Sequence, residues 1–408
     1  MRTVTLPEVL DAREARQARQ QALLRRYGRT LVCFTMNIAG PQKRSPLIDF
    51  VFDRGRQALL AAVPPLYSES VARNAGNEFY LVSELGAPSV KERCMQLEDS
   101  PVGRLFDMDV LTPAGEKLSR PGGRTCLVCG GPAAFCSRSR AHGLVAIEEK
   151  TQALLRQFAA QTLADLAVDA LCREVRVTPK PGLVDENNSG AHKDMDLPMF
   201  LASAAALRPY FVFCAEAAMK NPDCMSKLQK AGLEAEKTML AETCGVNTHK
   251  GAIYALGLLT AAAGAYLVHE RPFFTQAASL ARAGKPSSKT HGRAALAAYG
   301  GRGAREEAEA GFPLAQKARR LLLAGFAPEI VLLQLVLECQ DTNLLHRGGA
   351  EGLTYARKWA NRVLSAEPAK RQELLLAMDA AMIGRNLSPG GCADLLAQGF
   401  FLASLPIF

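Results

Sequence analysis

The chain of 408 residues contains no uninterrupted apolar run of the roughly 20 residues that a membrane-spanning helix needs. Its longest apolar stretches, Ile253 to Leu267 and Leu332 to Leu337, contain glycines or are cut by Gln334 and Glu338, so no transmembrane segment and no membrane partner is expected. The N-terminus lacks the apolar core of a secretory signal: Glu8, Asp11, Arg13, Glu14, Arg16 and Arg19 stand there instead, and the chain is expected in the cytoplasm. Internal repeats and low-complexity tracts are absent. With 48% hydrophobic and 22% charged residues, disorder, collagen and coiled coil are disfavoured. Neither GxxxxGK[ST] nor a GxGxxG with its downstream acidic residue is present, which removes the two commonest phosphate loops. Blocks of one charge sign are missing too. The excess of 49 basic over 40 acidic residues is spread along both halves, which suits phosphorylated small molecules better than a nucleic-acid stripe. The eleven cysteines read mostly as reduced, packed thiols.

What is present changes character along the chain. The length implies at least two domains. In the first 150 residues, β-rich runs at Leu31 to Ile38, Glu78 to Ser83 and Arg104 to Leu111 each end at Gly or Pro, and helical patterns at Val9 to Tyr27 and Pro46 to Ala62 lie between them. Pro121 to His142 is an irregular excursion rich in Gly, Cys and Arg. From about Ala146 the period is helical almost throughout, with stretches at Thr151 to Arg176, Pro198 to Lys220, Ser226 to Ala241, Lys250 to His269, Pro313 to Leu323, Pro328 to Gln340, Glu351 to Leu364 and Pro368 to Ile383. The expectation is a multi-domain chain, α+β over 1–145 and all-α over 146–408, with the boundary near Gly143 to Glu149.

Several groups of residues carry chemistry. Side chains of a strand alternate faces, so in Gly103 to Val110 (GRLFDMDV) Asp107 and Asp109 point one way and Phe106, Met108 and Val110 the other. Two carboxylates one strand step apart clamp a divalent cation such as Mg²⁺, which neutralises a polyphosphate as pyrophosphate is displaced; the plainer reading is a solvated face of an edge strand. Cys126, Cys129, Cys136 and His142 have the ligand types and number of a closed tetrahedral zinc site, with a shorter gap than zinc fingers show. The other reading is a loop of reduced thiols, in which Arg124, Arg138 and Arg140 serve phosphate. Between two helices, Lys180, Asp185, His192, Lys193, Asp194 and Asp196 crowd more ionisable groups than a turn requires, although Asp194 or Asp196 also suits the cap of a helix starting near Pro198. Asn247, His249 and Lys250 open an apolar helix, where backbone amides meet phosphate. Asp341, Asn343, His346 and Arg347 follow a helix, and Asp394 precedes the last one.

Residues 1–145 resemble the phosphoribosyl-dephospho-CoA transferase of citrate lyase, or holo-citrate lyase synthase, through Ala12 to Gln20, Gly40 to Lys43, Gly103 to Leu111, and Cys126 to Cys129 with Cys136 to Arg140. Residues 150–405 resemble triphosphoribosyl-dephospho-CoA synthase through Pro179 to Asp185, Gly190 to Asp196, Gly245 to Gly251, Glu307 to Pro313, Asp341 to Asn343 and Asn386 to Gly391. Gln340 and Cys392 depart from the synthase pattern, which usually has Gly and Ser there.

The resemblance implies a bifunctional transferase. In the helical domain the 2′-hydroxyl of 3′-dephospho-CoA attacks C1 of the ribose of ATP and expels adenine. The first domain, nucleotidyltransferase-like in fold, passes the phosphoribosyl-dephospho-CoA part to a serine of the acyl carrier (gamma) subunit of apo-citrate lyase and releases pyrophosphate. Tethering favours direct passage of the shared intermediate. Asp107 and Asp109 are the expected catalytic Mg²⁺ ligands of the first domain, with Lys43 and Arg104 on phosphate. For the second, Asp185, His192 and Asp194 are expected to be catalytic, and Asp194 and Asp341 to hold a further Mg²⁺. Lys180, Lys193, Asn247, Lys250, Asn343 and Arg347 are expected to bind the nucleotides, since ATP brings about four negative charges and dephospho-CoA about two more. Three other readings stay open: the equivalent pathway of malonate decarboxylase, a metal-dependent ADP-ribosyl-type hydrolase suggested by Asp341-Thr-Asn343, and a non-catalytic CoA-binding assembly factor.

Overall fold

The computed structural model describes residues 3–285 and 303–406. The chain divides into a mixed α/β unit ending at Ala159 and a helical unit beginning at Ala160. The division falls inside one helix, Leu144–Val175, whose start lies where the composition changes.

In the first unit, α1 (Leu6–Tyr27) begins at a reciprocal cap: Thr5 Oγ1 accepts from the Glu8 amide and Glu8 Oε2 accepts from the Thr5 amide. The strands β1 (Thr30–Met36), β2 (Tyr67–Arg73), β3 (Gly76–Ser83) and β4 (Phe106–Leu111) form one antiparallel sheet in the order β2-β3-β1-β4. Strand β2 was not expected, because every second residue of it is exposed and its apolar signal is weak. Helices α2 (Pro46–Ala62) and α3 (Ala87–Glu98) complete the layer packing. One sheet face carries Leu31, Cys33, Tyr80 and Val82 against Leu23 of α1. The other carries Phe34, stacked on Phe52 of α2 at 4.7 Å and edge-on to Phe106 at 5.2 Å. Arg104 lies in a short 3-10 turn, Val102–Leu105, rather than in the strand. From residue 111 to residue 150 no side chain is buried, although a short helix α4 (Ala133–Ser139) forms within the stretch.

The helical unit contains α5 (Leu144–Val175, from Ala160 on), α6 (Leu197–Ala206), α7 (Arg208–Lys220), α8 (Met225–Glu242), α9 (Lys250–His269), α10 (Phe273–Ala283), α11 (Ala304–Glu309), α12 (Pro313–Leu323), α13 (Pro328–Glu338), α14 (Thr342–Leu364), α15 (Pro368–Gly384) and α16 (Gly390–Ala403). Helix α9 is its central element. Gly264 lets α7 approach closely, since a Cβ there would lie 2.5 Å from the Ala215 carbonyl oxygen. Contrary to the sequence expectation, two segments are long and apolar enough to cross a membrane by length and composition: Leu197–Lys220, and Lys250–His269, whose apolar window is 78% buried in this unit. Two expected loops are helical. Helix α14 starts at Thr342 with Asp341 as N-cap, and breaks at Gly349 (φ 61, ψ −162), so Asn343 to Arg347 lie in its first turns. Helix α16 starts at Gly390, so Asp394 is inside it.

Candidate active sites

On β4 the burial alternates: Phe106, Met108 and Val110 are buried, while Asp107 and Asp109 share the opposite face. Pairing with β1 sets Asp107 across from Thr35 and Asp109 across from Cys33. A cavity of about 190 Å³ on this face is lined by Asp107, Thr35, Asn37 and Lys43, together with Arg13 and Arg16 of α1. Asp109 pairs with Lys117 at 2.6 Å, and Asp107 stands 3.5 Å from Arg124. Burial, and after it the charge of Asp109, raises the Asp107 pKa above the usual carboxylate range. Two like charges on one face, with one of them resisting ionisation, fit a divalent cation. Lys43 is partly buried, which lowers its pKa, and it donates to the Ile38 carbonyl at 2.5 Å. Arg104 donates to the Thr125 carbonyl, and burial followed by Arg124 lowers its pKa. Arg124, read from sequence as available to phosphate, is committed: it donates to the buried Glu98 at 2.5 Å and to the Phe106 carbonyl at 2.9 Å.

Beyond the sheet, Cys126, Cys129, Cys136 and His142 place one ligand atom each within 4.8 Å of one another. Amides of Cys129 and Val128 donate to Cys126 and push its thiol down to about 6, whereas the Cys129 contact raises that of Cys136.

The helical unit encloses a cavity of about 2190 Å³. His192, Asp194, Asn247, Lys250, Asp341, Asn343 and Arg347 all line it, as does the buried Lys180. Two expected site residues do not. Asp185 is buried and accepts from the amides of Lys180, Asn187 and Asn188, so its carboxylate shapes the loop rather than facing substrate. Lys193 is exposed outside the lining. Asp196 caps α6 through the Met199 amide at 3.0 Å.

His192, expected to be catalytic, is held on both nitrogens. Arg347 donates to Nδ1 at 3.1 Å, which leaves Nε2–H to donate to Ser388 Oγ at 3.0 Å. Burial, then the Arg347 charge, lowers its pKa to about 4. Such an imidazole orients Arg347 and Ser388 and is a poor proton acceptor. Asp341 is also engaged: Oδ1 accepts from the amides of Asn343 and Leu344, and Oδ2 from that of Cys392. Asn247 Oδ1 accepts from the Lys250 amide, and Lys250 Nζ pairs with Glu236 at 2.8 Å.

Sequence reasoning passes over Glu174 and singles out Asp394 only as one more carboxylate, without a role in the site. Glu174 at the end of α5 pairs with Lys180 at 2.7 Å, both side chains being almost wholly buried. Asp394 has no hydrogen-bond donor among the described residues, and burial, then Glu174 and Asp341, raises its carboxyl to about 8. A signal for both was present. Glu174 continues the buried stripe Leu163, Ala167, Ala170 and Leu171, and Asp394 interrupts an apolar helix; a carboxylate on a core face is expensive unless it works. The charges of Glu174 and Asp341 act on Asp394, and Lys180 stands against Glu174 on the same wall. His249 completes this wall, with Nδ1 bonded to Ser203 at 2.8 Å and Nε2 buried without a partner among the described residues.

Comparison with known proteins assigns the two units separately. A family model described as apo-citrate lyase phosphoribosyl-dephospho-CoA transferase matches residues 4–158, and one described as ATP:dephospho-CoA triphosphoribosyl transferase matches residues 160–407. Protein CitXG of Haemophilus influenzae is 36% identical over 451 aligned positions, covering 98% of this chain and 96% of its own. The 2-(5''-triphosphoribosyl)-3'-dephosphocoenzyme-A synthase of Haemophilus ducreyi is 39% identical, covering 68% of this chain and 99% of its own. A solved structure of a putative triphosphoribosyl-dephospho-CoA synthase from Archaeoglobus fulgidus aligns over 50% of this chain and 98% of its own, at 22% identity and a TM-score of 0.34.

Proposed function

The chain belongs to the family in which an apo-citrate lyase phosphoribosyl-dephospho-CoA transferase and an ATP:dephospho-CoA triphosphoribosyl transferase are fused, and from that premise we propose how each unit works. The chain makes and attaches the prosthetic group of citrate lyase. In the helical unit the 2′-hydroxyl of 3′-dephospho-CoA displaces adenine from C1 of the ATP ribose, giving 2′-(5″-triphosphoribosyl)-3′-dephospho-CoA. The observation that carries this is the cavity of about 2190 Å³ with carboxylates and cations on one wall. Sites for one drug-sized ligand are roughly 300–1,000 Å³, so this one has room for two nucleotides.

Asp394 takes the 2′-hydroxyl proton. It lacks a competing donor among the described residues, and a pKa near 8 suits a base working close to neutral pH. Lys180, Lys250 and Arg347 supply positive charge to the phosphates, and Asn247 and Asn343 supply polar contacts. Glu174 and Asp341, with Asp194 at the rim, would hold a divalent cation, which when bound neutralises the triphosphate. The same carboxylates favour the positive charge that develops at C1 as adenine leaves.

The first unit, in a nucleotidyltransferase-like arrangement, transfers the product to a serine of the carrier subunit of apo-citrate lyase. Asp107 and Asp109 would hold Mg²⁺, which when bound neutralises the departing pyrophosphate. Lys43, Arg13 and Arg16 border the same cavity and bind phosphate. Both reactions belong in the cytoplasm, where ATP and dephospho-CoA are made.

One experiment tests the assignment. In Asp107→Asn, labelling of the carrier serine stops while dephospho-CoA-dependent release of adenine from ATP continues. Adenine release without dephospho-CoA indicates a hydrolase, and loss of both activities indicates that the units are assigned wrongly or that the variant misfolds.

A further inference from the structure

The segment between β4 and α5 is left unused by either reaction as proposed, and it has no core: no side chain from residue 111 to residue 150 is buried. Apolar burial therefore cannot fix its path. We propose that Cys126, Cys129, Cys136 and His142 bind one structural Zn²⁺ that holds this segment folded.

Three observations carry the assignment. The four ligand atoms, drawn from three separate turns of chain, all lie within 4.8 Å of one another, and Cys129 Sγ is 3.6 Å from Cys136 Sγ. Zinc–sulfur bonds of about 2.3 Å at tetrahedral angles put sulfurs roughly 3.8 Å apart, so that edge already has the length the metal requires. The backbone is built around the pair of cysteines: the Cys126 amide donates to the Gly131 carbonyl at 2.5 Å and the Gly130 amide to the Cys126 carbonyl at 3.0 Å. Gly130 closes this turn at φ 75, a left-handed conformation that glycine adopts without strain. His142 has a buried Nε2 with no hydrogen-bond partner, a polar atom whose desolvation nothing among the described residues offsets and which a metal ion would satisfy.

The ligand set selects zinc. Three sulfurs and one imidazole in a closed tetrahedron suit Zn²⁺ and exclude Mg²⁺ and Ca²⁺, which require oxygen ligands. On binding, the three thiols release their protons to solvent, and three thiolates with a neutral imidazole and Zn²⁺ sum to one negative charge. Arg138 and Arg140, exposed in the same segment, have the sign that offsets it. The metal does the work of a core, so binding it and folding the segment are one equilibrium.

The test uses the whole chain purified under reducing conditions without chelator. Elemental analysis for zinc and iron is followed by stripping and titration with Co²⁺, whose thiolate charge-transfer absorption reports sulfur ligation. The expected result is about one zinc per chain, a charge-transfer band saturating near one equivalent, and proteolysis within residues 112–143 that rises on stripping and reverses with Zn²⁺. Cys129→Ser abolishes the retained zinc, whereas Cys244→Ser, at an exposed cysteine of the helical unit, keeps it. The Co²⁺ titration needs no variant, so misfolding of a cysteine mutant cannot mask the result. Below about a tenth of a zinc per chain with no charge-transfer band, or iron in its place, the proposal is overturned.

Discussion

Replacing Asp394 by Asn separates the chemistry of the helical unit from its stability. The Asp394 carboxyl is raised from 3.8 to about 8, so between those values the folded chain holds a proton that the unfolded chain has lost. The unfolded state binds fewer protons, and stability must fall as pH rises across this window, by 1.36 kcal/mol per pH unit for one group. The whole window of about four units corresponds to a ceiling on the order of 5 kcal/mol; the carboxylate faces a cavity that water enters, so the realised figure is smaller. Between about pH 5.5 and pH 7.5 the group accounts for up to about 3 kcal/mol. Asn cannot ionise, so the variant loses this slope and is more stable than the parent at the upper pH, while dephospho-CoA-dependent adenine release collapses. Trp359, the single tryptophan, lies in α14, so urea unfolding followed by its fluorescence reads the helical unit alone. Parallel stability–pH lines for parent and variant would refute the buried-carboxylate argument. Unchanged adenine release would remove Asp394 from the role of base.

Two further outcomes follow from the same wall. Lys180→Met leaves Glu174 buried without its partner, and removing one member of a buried pair costs about 3–5 kcal/mol, so the urea midpoint read at Trp359 should drop by more than for Lys250→Met, whose pair with Glu236 is half exposed. Gly251→Ala sets a methyl 2.1 Å from Asp394 Oδ2 on a helix that tolerates alanine well; adenine release is expected to fall at least about tenfold with less than about 1 kcal/mol lost in stability, and wild-type turnover in this variant would show that the position of the Asp394 carboxylate is not critical.

Much of the scaffold was legible because its causes are local. The facing of Asp107 and Asp109 follows from the two-residue period of a strand. The starts of the helices at Pro46, Pro313, Pro328 and Pro368 follow from prolines in their first turns. Strand β2 was missed because a half-exposed edge has little apolar periodicity, and the first turns of α14 were missed because Asp341, Thr342 and Asn343 read as a loop until the Asp341 cap is seen.

The sequence alone determined the inventory: two kinds of unit, the strings that carry the family likeness, a paired-aspartate strand, and a cluster of thiols and imidazole at ligand spacing. Which carboxylates are free to act was decided by tertiary structure. Asp185 and Asp341 accept hydrogen bonds from amides of their own loops, Asp341 also from that of Cys392, His192 is captured by Arg347 from 155 positions away, and Asp394 has its pKa raised by burial and then by Glu174 and Asp341 on two other helical elements. Desolvation and charge act through space, over a few ångströms set by how the helices pack. A residue's place in the sequence states what it can donate or accept, and only its neighbours in the fold state whether that capacity is already used.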